Sequence, residues 1–164
     1  MPTNRTSEPP VHVLMRFSDA LNPNGNTIEI HQQMIAEKGA VWFGKAGKPL
    51  GYRHVARISR QCEEHVPTFL YLVQRIEGQY ELHKGSVLQV VRSLPSSERQ
   101  FVPDYYSDLY FLKNVRYWTK LSTLTRAPKD EMEKLVLLNT GMPARLSLMH
   151  SMAGLFLVRR FRSP

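Results

Sequence analysis

Residues 41–51 read Val41-Trp42-Phe43-Gly44-Lys45-Ala46-Gly47-Lys48-Pro49-Leu50-Gly51, a run that limits the fold more than any other part of the chain. Its first three residues form a strand-like aromatic segment, and the glycines and proline that follow turn it at once into a basic loop. An edge of this kind suits a ligand. Indole and phenyl rings offer flat faces for stacking, lysines attract phosphate, and glycines let a ligand backbone come close.

The remaining segments supply partners for that edge. Residues 1–10 are polar and rich in proline, and are expected to form a disordered lead-in because they cannot bury enough surface to offset their ordering entropy. One domain is expected over residues 11–164, since a chain of 164 residues that is 42% hydrophobic is long enough for one core and too short for two. Val11, Val13, Met15 and Phe17 alternate as one face of a half-buried strand, and Asn22-Pro23-Asn24-Gly25-Asn26 ends it. Thr27 is expected to cap a helix over 28–38, with Ile28, His31, Met34 and Ile35 turned inward and Gly39 as terminator. Residues 52–64 look weakly helical before Pro67, and a further helix is expected over 129–138, stopped by Gly141. Strands are expected over 68–76, 80–83, 86–93, 115–124 and 154–161, while 144–152 reads equally as helix or strand. Strand–helix alternations are too few for a doubly wound sheet. The pattern predicts an α+β fold, a compact, mainly antiparallel curved sheet or partial β-barrel with two or three flanking helices.

Charge narrows the partner. The chain carries a net +8, and the excess is concentrated: residues 40–62 contribute +5, residues 143–164 +4 and residues 99–126 +3. Three basic stretches form an electrostatic footprint for an anion if the fold brings them onto one surface, and three solvated faces if it does not. One cysteine, Cys62, excludes an internal disulfide and argues against a structural zinc site, so no metal or cofactor is expected and a reducing, cytoplasmic location fits. No stretch approaches the roughly 20 apolar residues that span a bilayer, so no membrane is expected as partner.

Together, the order of an early strand, a helix, the Val41–Lys45 segment, several strands, the strand ending Tyr117-Trp118-Thr119-Lys120-Leu121 and a closing strand resembles the PUA-like superfold, which includes EVE, YTH and ASCH domains. The resemblance spans residues 11–161. It implies a β-barrel whose mouth accepts a base, often a modified one flipped from DNA or RNA, between aromatic side chains. The EVE signature of the Asn-Tyr-Gln-Ala type is absent, which leaves the subfamily and the base open.

Stacking on an aromatic face contributes about 1–3 kcal/mol per base, and the rings for it are Trp42 and Trp118, with Tyr105 or Tyr106 as a further wall. A tryptophan in a strand is more often a core residue. Phosphates would fall to Lys45, Lys48, Arg53, Arg57, Lys113 and Arg116. The loop is not a P-loop, because the spacing is wrong and Pro49 stands where the hydroxyl belongs. Gly44-x-x-Gly47 does match the backbone clamp of KH domains, a second way of putting Lys45 and Lys48 on phosphate. For catalysis, the six histidines have no recognised partner spacing, Cys62 and His65 form half a metal site at most, and Ser151 beside His150 lacks a nucleophile elbow. The expected function is therefore a nucleic-acid-binding module, leaning away from an enzyme. The alternatives are a small enzyme on a nucleotide-like substrate with a base such as His150, and a protein-interaction subunit using Tyr105, Tyr106, Tyr110 and Phe111.

Overall fold

The computed structural model describes residues 8–18, 22, 25–106, 114–150 and 154–161, His150 by its backbone alone. Eight strands are formed: β1 (His12–Arg16), β2 (Val41–Ala46), β3 (Phe69–Ile76), β4 (Gln79–Val91), β5 (Val115–Leu121), β6 (Thr125–Arg126), β7 (Leu135–Leu137) and β8 (Leu155–Arg160). Among the described residues three α-helices accompany them, α1 (Thr27–Lys38), α2 (Tyr52–Glu63) and α3 (Ala144–His150), with 3-10 turns at Ser96–Phe101, Asp104–Tyr106 and Lys129–Lys134. The strands make one sheet in the order β2-β5-β4-β3-β1-β8-β7, and β6 adds to β4. Only β1 and β3 pair in parallel; every other pair is antiparallel. The architecture is α+β with a mixed, open sheet: β2 and β7 lie at opposite ends of the order, so the barrel does not close.

β1 and β3 sit in mid-sheet and are buried on both faces, which corrects the one-faced pattern read for residues 11–17. Val13, Met15, Leu70 and Leu72 pack toward α1 and α2, whereas Leu14, Tyr71, Val73 and Val158 pack toward α3 and the Lys129–Lys134 turn. Strands covered on both sides read as apolar runs rather than alternations. β4 is one 13-residue strand where two were expected. It pairs with β3 up to Ser86 and with β5 from Val87, carrying the sheet round a corner. Gly85 sits at that corner, where a Cβ would stand 2.7 Å from the Thr123 carbonyl oxygen.

The helix expected over 129–138 is instead a 3-10 turn followed by β7. Leu135 and Val136 are both buried, so the stretch obeys no single helical face, and pairing with β8 claims its backbone. The turn is held by Glu131, a buried carboxylate that accepts a hydrogen bond from the Tyr71 hydroxyl at 3.2 Å and pairs with Lys84 at 3.3 Å and Arg160 at 3.5 Å. α1 ends at Gly39 with φ 83°, as expected, but its cap residue is Asn26 rather than Thr27, which is the first helical residue. Of the expected glycine loop, Gly44, Lys45 and Ala46 are still strand.

Candidate functional site

Strand ends converge on one side of the molecule and leave a cavity of about 370 Å³. The last residues of β1 with Phe17 and Ser18, the second half of β2, Val115 of β5, Thr27 of α1, Gly154 before β8 and the Asp104–Tyr106 turn all contribute to its lining. Gly44 is required behind it. A Cβ there would meet the Trp118 ring at 2.7 Å, so only glycine lets β2 lie on that indole. At Gly154 a Cβ would come within 3.3 Å of Lys45 Nζ, so the glycine makes room for the lysine.

Four aromatic residues line the cavity: Phe17, Phe43, Tyr105 and Tyr106. Tyr105 lies on Tyr106 with centroids 4.3 Å apart, and Tyr106 continues onto Trp118 at 5.1 Å. Phe17 meets Phe43 edge-on at 6.0 Å. The Tyr106 hydroxyl accepts the Gly44 N–H at 3.0 Å and donates to the Gly44 carbonyl at 3.2 Å, which locks the turn to β2. Burial pushes that phenol up to about 12. His31 packs from behind against Phe43 at 4.9 Å and Tyr105 at 5.8 Å, and its Nδ1 donates to the Thr27 carbonyl at 2.8 Å. Burial lowers the ring to about 4, so it is a neutral packing group at ordinary pH.

Arg16 and Lys45 bring positive charge to this aromatic wall, and none of the described lining residues is a carboxylate. The Arg16 guanidinium also donates to the Leu148 carbonyl, which fixes the end of β1 against α3. Flat rings beside two cations can stack a planar heterocycle and attract its phosphate. Among the described residues no three His, Cys, Asp or Glu side chains gather as a metal site, and no described helix is long and apolar enough to cross a membrane.

The sequence-derived site residues divide between this cavity and other places. Tyr105, Tyr106 and Lys45 come together here. Trp42 and Trp118 do not line it: they are 0% and 1% exposed, facing away into a cluster closed by Leu94, Phe101 and Val102. Trp42 Nε1 donates to Glu98 at 3.1 Å. The 3-10 segment after β4 covers the sheet face that both tryptophans occupy, and Trp118 also contributes to the lining of a second cavity. Lys48 is exposed in the turn after β2, Arg53 is exposed on α2, and Arg57 pairs with Glu8 at 3.1 Å. Arg116 lines a second cavity, described below. Lys113, Tyr110, Phe111, Ser151 and Arg162 lie outside the described residues, as does the side chain of His150. The KH clamp falls, since Gly44 sits inside β2 and no helix precedes the pair of glycines directly. Cys62 is half-buried with its thiol toward the Val87 carbonyl, and burial raises its pKa.

Sequence reasoning missed Met15, Arg16, Phe17, Thr27 and Gly154 as lining residues. A usable signal existed for two of them: Arg16 and Phe17, with Ser18 after them, follow a strand and precede an Asn-Pro-Gly loop, where a sheet end opens. Nothing in the sequence marks Gly154 as the partner of Lys45.

A family model described as Pua-like matches residues 13–147. No curated protein matches the chain, and no solved structure does.

Proposed function

The chain belongs to the PUA-like family, and from that premise we propose that it is a nucleic-acid-binding module that holds one base, unmodified or modified, in the aromatic cavity. Family membership suggests RNA or modified-base binding. The observation that carries the finer reading is the cavity itself: about 370 Å³, walled by Phe17, Phe43, Tyr105 and Tyr106, with Arg16 and Lys45 on its lining. That volume lies within the range of small-molecule pockets, roughly 300–1,000 Å³. A base between rings gains stacking, and a base bearing positive charge gains cation–π attraction as well. Lys48, Arg53, Arg57, Lys113 and Arg116 are proposed as further phosphate contacts, in one domain running from residue 11 in a reducing compartment.

Fluorescence anisotropy with single- and double-stranded RNA and DNA, with and without base modifications, tests this across a salt series. The reading expects salt-dependent binding, strongest for one base, that is weakened about tenfold by Tyr105→Ala through the lost stacking partner. Binding unchanged in a folded Tyr105→Ala protein would remove the cavity from the reading, and no binding at low salt would remove nucleic acid.

A further inference from the structure

A second cavity of about 350 Å³, lined in part by Trp118, shares one lining residue, Val115, with the aromatic cavity. Its charged lining is three arginines from three elements: Arg92 at the end of β4, Arg99 in the turn that follows, and Arg116 in β5. None of the described residues lining it is acidic. Among the described residues, no ion pair is formed by any of the three guanidiniums. Glu98, the nearest carboxylate in sequence, is taken up by the Trp42 indole at 3.1 Å and by Lys120 at 3.0 Å. Those two hydrogen bonds hold its carboxyl below the usual range.

Two local features aim the cations. The Arg92 guanidinium lies 3.7 Å from the centroid of the Tyr52 ring, which holds it over α2's first residue. In the β2–β5 ladder Lys45 faces Tyr117 while Ala46 faces Val115, so Arg116 is the extra residue of a bulge between the two cavities. A bulge bends the strand locally and re-aims the side chain of its extra residue. Three like charges brought together without a carboxylate repel one another in the free protein, and an anion relieves that repulsion.

We infer that Arg92, Arg99 and Arg116 form a phosphate site that binds the phosphate next to the base held in the aromatic cavity. The inference rests on the proposed function for the identity of the ligand, whereas the anion site itself does not. The two cavities share Val115 in their linings, so they adjoin, and the nucleotide places its base on the ring side and its phosphate on the arginine side.

The test uses the full chain and the double variant Arg99→Gln/Arg116→Gln, both positions being exposed, with Tyr105→Ala as reference. Anisotropy with a short single-stranded oligonucleotide, 5′-hydroxyl or 5′-phosphorylated, is read across salt, and inorganic phosphate is titrated by 31P NMR. The double variant should bind about tenfold more weakly at ~0.1 M salt and lose about 0.7 from the logarithmic salt slope for one phosphate. Tyr105→Ala should lose affinity at an unchanged slope. Loss for both oligonucleotides assigns the site to a backbone phosphate; loss for the 5′-phosphorylated one alone assigns it to a terminal phosphate. If the double variant keeps the wild-type slope while Tyr105→Ala weakens binding, the arginine site is overturned and the base cavity stands. If phosphate binds, the double variant abolishes it, and no oligonucleotide binds, the anion site stands and the nucleic-acid reading falls. Absence of binding for every probe overturns both.

Discussion

Trp42 and Trp118 belong to the same aromatic cluster as Tyr105 and Tyr106, yet the two pairs face different worlds. The indoles are enclosed, one hydrogen-bonded to Glu98 and the other lying on Gly44. The phenols lean on that base and turn their outer faces to the cavity. The strand pleat separates the roles. Val41, Phe43 and Tyr117 point into the main core on one side of β2 and β5, and Trp42 and Trp118 point to the other. What makes the tryptophan face a core is the irregular segment Leu94–Tyr106 folded over it. Rings of one chemical class therefore serve as foundation or as wall according to what covers them, and substitutions on each side should fail differently.

The largest expected effect lies on the foundation. Trp118→Ala removes a buried indole and should cost about 3–5 kcal/mol of stability, measured by urea unfolding, because the cavity it leaves cannot collapse onto Gly44. A Trp118→Ala protein that keeps its unfolding midpoint but loses base preference would break the comparison and return that ring to the ligand.

Acid probes the layer between foundation and wall. His31 touches Phe43, Tyr105 and Tyr106, and burial lowers its folded pKa to about 4 against 6.5 for a free ring, with backbone interactions of Thr27 and Trp42 pulling the other way. The unfolded chain thus takes up the proton first. Stability from this ring is complete above about pH 6.5 and is lost as pH falls toward 4, up to about 3 kcal/mol. His12, also lowered to about 4 by burial and then by Lys84 and Arg160, adds a loss in the same window from a different part of the sheet. Urea midpoints at pH 7 and pH 5 should diverge for the natural protein and less so for His31→Asn; equal divergence would assign the effect to His12 and to His83, whose pKa burial also lowers.

Much of this arrangement was readable beforehand. The strands of residues 11–17, 68–76, 115–124 and 154–161 stand within a few residues of the expected ranges, because apolar β-branched and aromatic runs bounded by glycine and proline leave little choice. The resemblance drawn from Val41–Lys45 and Tyr117–Leu121 led to the right family. The failures share a cause. Residues 129–138 were read by helical spacing, but the contacts that decide them, β8 and the Glu131 ion pairs, come from residues far away in the chain. The orientation of Trp42 and Trp118 was undecidable for the same reason, since a 3-10 segment without periodicity is the cover. Tyr105, Tyr106 and Lys45 share one cavity because they stand at the ends of elements, where a sheet exposes its side chains.

Smaller effects belong to the wall. Tyr105→Ala, which gives up ring contacts with Tyr106 and His31, should cost no more than about 2 kcal/mol of unfolding free energy, while ligand affinity falls by about 1–3 kcal/mol. A stability loss as large as that of Trp118→Ala would merge the two regions into one core and end the comparison.

The smallest and most discriminating effect separates two lysines from the same run. Lys45 lines the cavity beside Gly154, whereas Lys48 stands exposed in the turn. If the wall holds a base, Lys45 sits where the second of the two phosphates flanking that nucleotide can reach it, and Lys45→Ala should flatten the logarithmic salt slope of single-strand binding by about 0.7. Lys48→Ala should lower affinity less, because an exposed cation contributes mainly through a screened field that falls off over about 10 Å at 0.1 M salt. Anisotropy across a salt series measures both slopes on one probe. Equal slopes for the two variants would mean that the run acts as diffuse charge, and the ligand would then lie along the outer surface rather than against the phenols.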